Sequence, residues 1–168
     1  VSIDDRTLKK GDLFIALIGN KFNGHDFIES AIRKGASGVI VSDKKLVNKY
    51  EALFVKDTNK ALKQIANFSR NRFKGTIIAL TGSSGKTSTK ELIFNSLEKF
   101  GKTHNTYGNN NNLIGLSLTL SRLRHDYDYC VLELGMNNIG EIRELTEIAR
   151  PHIALVTNVS SSHIQNFK

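Results

Sequence analysis

The stretch that decides the fold runs from Thr76 to Thr89 and reads TIIALTGSSGKTST. Its apolar part, Ile77–Leu80, is typical of a strand that is buried in a parallel sheet. A short glycine turn follows, and Lys86 and Thr87 then open a segment with helical spacing. A strand, a glycine-rich turn and a helix, in this order, form the loop that cradles phosphates in P-loop proteins.

The residue types in this turn predict a phosphate site. Backbone amides of such a turn point inward, the helix N-terminus adds positive potential, and Lys86 can reach terminal phosphates. The hydroxyl of Thr87 is placed to bind Mg²⁺. We therefore predict that a run of eight residues binds a nucleotide. These residues are Thr81, Gly82, Ser83, Ser84, Gly85, Lys86, Thr87 and Ser88.

The pattern of this turn departs from the generic P-loop, G-x-x-x-x-G-K-[ST], at one position. Leu80 stands where that pattern has its first glycine. A glycine-rich turn followed by a chance Lys-Thr pair is therefore the alternative interpretation. The strand before the turn and the helix after it favour the phosphate-binding interpretation.

Composition limits the classes of protein to consider. The chain has 168 residues, of which 39% are hydrophobic, enough for one domain or two small ones. No apolar run approaches membrane-spanning length, and no secretory signal is present. Cys130 is the only cysteine, which excludes an intrachain disulfide, and its apolar surroundings predict a buried side chain. We therefore expect a cytoplasmic protein without a membrane partner.

The net charge of +8 is distributed unevenly. Residues 1–74 hold 15 basic and 8 acidic side chains, whereas residues 75–168 hold 9 and 8. A basic half is compatible with nucleic-acid binding, but its lysines are scattered, and aromatic residues do not interleave with them as they do in a stacking platform. An anionic small molecule explains the excess equally well. We predict no nucleic-acid partner.

Strand and helix patterns alternate along the whole chain. In the first half, strands are predicted at 13–18, 39–41 and 53–55, and helices at 25–34, 42–50 and 58–73. In the second half, strands are predicted at 77–80, 128–134 and 153–157, and helices at 86–100, 113–123 and 140–149. We predict an α/β fold: a small α/β N-terminal domain at 1–74, followed at 75–168 by part of a P-loop mononucleotide-binding domain with a parallel sheet.

Three loops of the second half follow strands and should meet at one edge of the sheet. They are the glycine turn, the segment Glu133–Asn137 and the segment Asn158–His163. A carboxylate at Glu133, close to phosphates, would suit a magnesium ligand, and a solvated charge at a strand end is the alternative. His163 taken alone is equally typical of a surface histidine. The asparagine-rich loop at 105–112 could be a simple turn.

Taken together, these stretches resemble the Mur ligase family, the ATP-dependent enzymes that form amide bonds in peptidoglycan precursor synthesis. Four stretches carry the resemblance: LTGSSGKTSTKE (80–91), GNNNNLIG (108–115), ELGMNNIGEI (133–142) and ALVTNVSSSHIQNF (154–167). A fifth, DDRTLKKGDLFIALIGNKFNGHDF (4–27), is similar to the UDP-binding first domain of that family. The second and third stretches favour the branch that joins D-alanyl-D-alanine to UDP-N-acetylmuramoyl-tripeptide (UDP-MurNAc-tripeptide).

The resemblance implies a role for each matching residue. Lys86 would hold the β- and γ-phosphates of ATP, Thr87 and Glu133 would bind Mg²⁺, and His163 would bind a second metal ion. Lys86 and His163 would be the catalytic residues. The nucleotide and substrate pocket would be lined by Asn109, Asn112, Asn137 and Asn158. The γ-phosphoryl group would pass to the terminal carboxylate of the tripeptide, and the amine of D-alanyl-D-alanine would attack the resulting acyl phosphate.

The first domain departs from the family pattern at two positions. The family commonly has Asp-Ser-Arg or Asp-Thr-Arg where this chain has Asp4-Asp5-Arg6. A carboxylate at Asp5 cannot donate a hydrogen bond to a diphosphate as a hydroxyl does. Asn23 stands where the family usually has Asp, which removes a charge.

The resemblance also implies parts that this sequence lacks. The carbamylated lysine of the family, its adenine-holding residues and its C-terminal domain would all follow His163. The usual opening strands would precede Val1. We therefore expect the chain to be an incomplete piece that is inactive in isolation.

Three other interpretations stay open on the sequence alone. The first is another Mur-type ligase, or a folylpolyglutamate or cyanophycin synthetase. The second is a P-loop kinase or NTPase, which a first glycine and an Asp-ended strand would favour. The third is a binding module without ligase activity, which salt-dependent binding to DNA and no response to ATP would favour.

Overall fold

The computed structural model describes residues 1–19 and 22–160, and these divide into two units after Ile65. The centre of the first unit is a three-stranded parallel sheet in the order β1-β2-β3. The strands are β1 (Leu13–Ile15), β2 (Gly38–Val41) and β3 (Leu53–Phe54). A 3₁₀ turn (Gly24–Phe27) leads into α1 (Ile28–Arg33), and α2 (Lys45–Tyr50) and the first part of α3 (Thr58–Arg72) complete the unit.

The sheet of the first unit buries apolar side chains on both faces. Phe14 and Val39 pack in one cluster with Ile28 of α1, whereas Ile15 packs in a second cluster with Leu62 of α3. Adjacent strand residues point to opposite faces, so β1 and β2 each contribute to both clusters. Helices on both faces are the usual cover of a parallel sheet, and the predicted α/β arrangement is confirmed here.

One helix of the first unit differs from its prediction. The pattern at 25–34 predicts a single helix with Phe27 on its buried face, but Phe27 ends the 3₁₀ turn and is 40% exposed. Residues in a 3₁₀ turn follow each other at about 120° rather than 100°. The apolar spacing of an α-helix therefore does not carry through this segment.

The second unit contains a four-stranded parallel sheet in the order β5-β6-β4-β7. Its strands are β4 (Thr76–Thr81), β5 (Thr103–Asn105), β6 (Tyr129–Glu133) and β7 (Ile153–Val156). Its helices are α4 (Lys86–Leu97), α5 (Leu113–Ser121) and α6 (Glu141–Ala149). The strand order changes direction at β4, because the chain first builds β5 and β6 on one side of it and then β7 on the other. Ligands of open parallel sheets bind at such a point.

The register of this sheet brings three strand ends to the same level. Leu80 near the end of β4 pairs with Glu133 of β6 and with Leu155 of β7. The loops that follow these strands therefore leave from one edge of the sheet. They are the three loops that the sequence predicts to meet.

The core of the second unit lies between the sheet and helices α5 and α6. Helix α5 is buried from Gly115 to Ser121, and α6 buries Leu145, Ile148 and Ala149. Cys130 of β6 is fully buried among these side chains, as predicted, and burial raises the pKa of its thiol. A thiol in this environment is a packing group rather than a nucleophile.

Strand β5 has no counterpart in the sequence prediction. It is three residues long and reads Thr-His-Asn, a polar run without a period of two. Its hydrogen bonds to β6, in which Thr103 is level with Tyr129, make it a strand. Tertiary pairing decides the structure of so short a segment.

The structure divides after Ile65, within α3, whereas the predicted domain boundary follows residue 74. The second half of α3 lies between these two boundaries. Leu62 belongs to the core of the first unit, whereas Ala66, one turn later, belongs to the core of the second. The composition change at 73–75 marks the end of α3 and not the change of core. In residues 1–19 and 22–160, no helix combines the length and apolarity needed to cross a lipid bilayer.

Candidate functional site

The glycine turn between β4 and α4 depends on two glycines. Gly82 and Gly85 have φ values of 144° and 75°. Residues other than glycine rarely adopt these backbone conformations. A Cβ atom on Gly82 would also overlap Oγ1 of Thr157. Leu80, which replaces the first glycine of the generic pattern, is still inside β4 and buried, so its side chain does not alter the turn.

A second loop, at residues 157–160 after β7, fastens the glycine turn. The backbone amides of Ser83 and Ser84 donate to the carbonyl and the Oδ1 of Asn158, at 3.1 and 2.9 Å. Nδ2 of Asn158 donates to Oγ of Ser84 at 2.7 Å, and Oγ1 of Thr157 donates to the Ser84 carbonyl at 2.6 Å. Asn158, a predicted pocket residue, thus holds the turn in shape and occupies two of its amides.

The remaining amides of the turn are open at the N-terminus of α4. Among the described residues, no acceptor bonds the backbone amides of Gly85, Lys86, Thr87 and Ser88. Nζ of Lys86 folds back and donates to the Gly82 carbonyl at 2.6 Å. The side chains of Thr87 and Ser88 are exposed. Open amides, a helix N-terminus and a lysine are the groups with which P-loop proteins bind phosphate.

Glu133, at the end of β6, is buried and only 2% exposed, so it is not a solvated strand-end charge. Its Oε1 accepts a hydrogen bond from Nδ2 of Asn111 at 2.9 Å. Its backbone amide donates to Oγ1 of Thr106 at 3.0 Å. The second carboxylate oxygen, Oε2, is buried and has no hydrogen-bond partner among the described residues.

This buried oxygen allows a test of whether the residues fit Mg²⁺. A buried carboxylate oxygen without a partner is unfavourable, and a cation would compensate it. Carboxylate and hydroxyl oxygens, from Glu133 and Thr87, are the ligands that Mg²⁺ prefers, with phosphates and waters completing its shell. The described residues contain no cluster of three or more His, Cys, Asp or Glu. The residues therefore fit Mg²⁺, while His163 lies outside the described residues.

A cavity of about 590 Å³ opens beside Lys86. Its lining comprises Lys86, Asn111, Asn112, Leu113, Ile114, Gly135, Met136, Asn137, Glu141, Glu144 and Leu145. The backbone amide of Asn137 and the side chain of Asn138 bond the Glu141 carboxylate and hold its pKa below the ordinary value. Glu141 is therefore ionised at neutral pH, and the cavity combines an apolar wall with charged and amide groups.

The predicted asparagines differ in position. Asn112 and Asn137 line the cavity, and Asn112 also caps α5 by accepting the amide of Gly115 at 2.9 Å. Asn158 lies at the glycine turn. Asn109 is exposed, does not line the cavity, and accepts the Asn111 amide with its carbonyl.

Four residues of the site are absent from the sequence prediction: Lys90, Thr106, Asn111 and Thr157. Asn111 stands in a run of four asparagines, and nothing in that run shows which amide turns toward Glu133. Lys90 follows Lys86 by one helical turn, and this spacing is the only signal that the two share a face of α4. Thr106 and Thr157 have no signal at all, since their roles depend on strand pairing.

The first unit contains the two positions that depart from the family pattern. Oδ2 of Asp5 accepts hydrogen bonds from Oγ of Ser30 at 2.6 Å and from Nζ of Lys34 at 2.9 Å. These bonds, that of Ser30 foremost, hold the pKa of Asp5 below its ordinary value. Asn23 caps the 3₁₀ turn by accepting the amide of His25 at 3.1 Å. Both residues thus have partners within the unit.

The fold and the turn together define a class. A parallel sheet whose central strand leads through a glycine turn into a helix that begins with Lys-Thr is a P-loop nucleotide-binding arrangement. Within that class, the chain belongs to the Mur ligase family. Residues 80–168 match the Mur ligase middle domain, and residues 1–70 match the Mur ligase family, catalytic domain. The family and the α/β fold predicted from the sequence are confirmed.

Several known proteins resemble nearly the whole chain. The UDP-N-acetylmuramoyl-tripeptide–D-alanyl-D-alanine ligases of Rickettsia prowazekii and Escherichia coli are each 44% identical to it over 99% of its length. The crystal structure of MurF from Acinetobacter baumannii covers 99% of the chain with a TM-score of 0.85 and 37% identity. MurF ligase from Thermotoga maritima, solved in complex with ADP, covers 97% with a TM-score of 0.80 and 36% identity.

Each of these matches covers only part of the related protein. The chain spans 37% of the length of both curated relatives, and 37% and 38% of the two solved chains. The shared region contains the P-loop and Glu133 of this chain.

Proposed function

We propose that this chain supplies the UDP-substrate-binding and ATP-binding parts of a ligase that joins D-alanyl-D-alanine to UDP-MurNAc-tripeptide. Residues 1–74 would bind the UDP-linked substrate, and residues 75–168 would bind ATP. The substrates are those in the names of the relatives at 44% identity. The reaction would take place in the cytoplasm, as part of peptidoglycan precursor synthesis.

The observation that carries this proposal is the pairing of Leu80 with Glu133. It puts the open amides of the glycine turn and a buried, incompletely bonded carboxylate at one edge of one sheet. Transfer of a phosphoryl group to a carboxylate brings two anions together, so positive charge and fixed geometry are what a catalyst must provide. A lysine, a helix N-terminus and a magnesium ligand at one edge meet this requirement.

In the proposed reaction, the residues of the chain bind and orient the reactants. The amides of Gly85 to Ser88 and the ammonium of Lys86 would hold the β- and γ-phosphates. Thr87 and Glu133 would bind Mg²⁺, which, when bound, supplies charge neutralisation on the phosphates. A tripeptide carboxylate oxygen would attack the γ-phosphorus and release ADP. The dipeptide amine would then attack the acyl carbon, lose a proton and release inorganic phosphate.

Lys86 must change partner in this scheme. Its Nζ donates to the Gly82 carbonyl, a bond that a phosphate oxygen would replace. A hydrogen bond between two charged groups is stronger than one from a charged group to a carbonyl. Binding of the nucleotide would therefore draw the lysine away from the turn.

The test is phosphate release by the full-length protein with ATP, Mg²⁺, UDP-MurNAc-tripeptide and D-alanyl-D-alanine. We expect release that depends on the dipeptide. Lys86→Ala should lower kcat/KM by about 10²- to 10³-fold, because the phosphates lose the lysine of the loop. Lys99→Ala, an exposed lysine after the same helix, is the matched control and should equal the parent.

Two outcomes would contradict the proposal in different ways. Phosphate release that does not depend on the dipeptide would indicate an NTPase rather than a ligase. Equal kinetics for Lys86→Ala and Lys99→Ala would show that the glycine turn does not bind ATP.

A further inference from the structure

Lys90 is a charged residue inside the second unit that the proposed reaction does not use. It lies one turn after Lys86 on α4 and is only 1% exposed. A buried ammonium group is costly unless it is paired and hydrogen-bonded. In the described part of the chain, Nζ of Lys90 bonds the carbonyl oxygen of Thr106 at 2.8 Å and Oε1 of Glu91 at 2.7 Å.

The partner that matters is Thr106, which directly follows β5 and is fully buried. Its amide donates to the Val131 carbonyl of β6 at 3.0 Å, and its Oγ1 accepts the amide of Glu133 at 3.0 Å. Thr106 is thus bonded to two residues of β6, Val131 and Glu133, at the C-terminal end of that strand. Nζ of Lys90 provides a third hydrogen bond to Thr106, by donating to the Thr106 carbonyl.

Within residues 1–19 and 22–160, the hydrogen bonds that Glu133 makes outside its sheet pairing come from the segment that begins at Thr106. Thr106 bonds its backbone amide, and Asn111 bonds its Oε1. Asn111 also accepts the amide of Gly135 with its carbonyl at 2.9 Å, which fixes the loop after β6. The position of the Glu133 carboxylate therefore depends on where this segment starts, and Lys90 bonds its first residue.

We propose that Lys90 and Thr106 are positioning residues that hold the Glu133 carboxylate in place to bind Mg²⁺. This inference rests on the proposed function, since it assigns supporting residues to the same metal site. Groups that hold a metal ligand from behind commonly change metal affinity by about 10- to 100-fold when they are removed. A residue that only packed would change the stability of the unit and leave the metal affinity unchanged.

The experiment measures metal binding directly. Mn²⁺, a spectroscopic substitute for Mg²⁺, is titrated into the full-length protein with a non-hydrolysable ATP analogue, and free Mn²⁺ is followed by electron paramagnetic resonance. Lys90→Met keeps the length of the side chain but removes its charge and donors, and we expect its Kd for Mn²⁺ to rise at least about 10-fold. Lys99→Met is the control for a lost lysine.

Thr106 offers a matched pair of variants. Thr106→Val removes the hydroxyl that accepts the Glu133 amide, and we expect a several-fold rise in the Kd for Mn²⁺. Thr106→Ser keeps that hydroxyl, and its Kd should match that of the parent. If Lys90→Met cannot be obtained folded, this pair decides, and equal Kd values for Val and Ser overturn the proposal.

A double variant separates this inference from the proposed function. In a Glu133→Gln background, Lys90→Met should add less than about twofold to the Kd, because residues that act through one ligand are not additive. If Lys90→Met and Glu133→Gln raise the Kd by factors that multiply in the double variant, Lys90 does not act through Glu133, and its positioning role is wrong. If Glu133→Gln weakens Mn²⁺ binding and Lys90→Met does not, the inference fails alone. If Glu133→Gln itself leaves Mn²⁺ binding unchanged, the metal site of the proposed function fails and the inference fails with it.

Discussion

The two sides of the candidate site are held in opposite ways. The P-loop side, residues 82–85 with residues 157–160, is fastened mainly by hydrogen bonds at the surface, such as those of Asn158 to Ser84. The carboxylate side, which comprises Lys90, Thr106, Asn111 and Glu133, is held by buried or partly buried bonds. One side is accessible to water, and the other side largely excludes it.

This difference indicates how each side can respond to a ligand. Hydrogen bonds in contact with water contribute little net free energy, so the P-loop side can exchange its partners for phosphate oxygens at small cost. Buried polar networks are costly to disturb, so the carboxylate side keeps its geometry before any ligand arrives. Catalysis by charge stabilisation benefits from groups that are fixed in advance.

The largest effect on stability is expected for a substitution at Gly82, on the P-loop side of the site. Gly82→Ala would introduce a Cβ that overlaps Oγ1 of Thr157, in a backbone conformation that disfavours side chains. We expect a loss of about 3 kcal/mol in the free energy of unfolding, from strain and displaced packing together. Urea unfolding of the purified protein measures it.

Gly85→Ala is the control for this variant. Gly85 also has a positive φ, but a Cβ there would meet open space. We expect a loss of only about 1 kcal/mol from the backbone conformation. Equal losses for the two variants would show that the approach of Thr157 to Gly82 is not tight.

A pair of asparagine variants sharpens the comparison with a smaller effect. Asn111→Ala removes the donor to the buried Glu133 carboxylate and should cost about 2 kcal/mol, because a buried charged acceptor loses its partner. Asn158→Ala removes bonds at the surface, which water can replace, and should cost about 1 kcal/mol or less. Urea unfolding of both variants gives the difference, and a larger loss for Asn158→Ala would reverse the assignment of the two sides.

The smallest expected effect concerns pH. Burial lowers the pKa of His104, on the strand that leads to Thr106, and its Nε2 donates to the Thr119 carbonyl at 2.9 Å. The unfolded chain therefore binds a proton at higher pH than the folded chain does. The stability that His104 contributes is complete above its ordinary pKa near 6.5 and decreases as pH falls through that value.

The variant His104→Gln checks this prediction. Glutamine can still donate a hydrogen bond, but it does not titrate. Between pH 7.5 and 5.5, we expect the unfolding free energy of the parent to fall more steeply than that of the variant. Parallel curves would show that His104 accepts its proton without cost to the fold.

The sequence predicted the parts of this structure that depend on local pattern. The run Ile77–Leu80, the glycine turn and the helix that starts at Lys86 follow from hydrophobicity, backbone freedom and spacing. Glu133 could be placed at the right edge because parallel strands end at a common edge. These predictions required no knowledge of which strands are neighbours.

The parts that depend on strand neighbours could not be predicted. Strand β5 exists only because β6 pairs with it, and Thr106 obtains its role from the same pairing. Lys90 follows the polar pattern of an exposed helix position, yet the sheet buries it. In each case the physical cause is a contact between residues that are distant along the chain.

The register of β4 and β6 has a consequence for how the gene can change. Because side chains alternate between the two faces of a strand, deletion of one codon within β6 would turn the Glu133 side chain to the opposite face of the sheet. The loop at 107–110 connects Thr106 to Asn111, and both of these residues bond Glu133, so a deletion there would displace at least one of the two partners. Descendants of this gene should therefore keep a constant number of residues both in strand β6 and in this loop, although the tip of the loop is exposed.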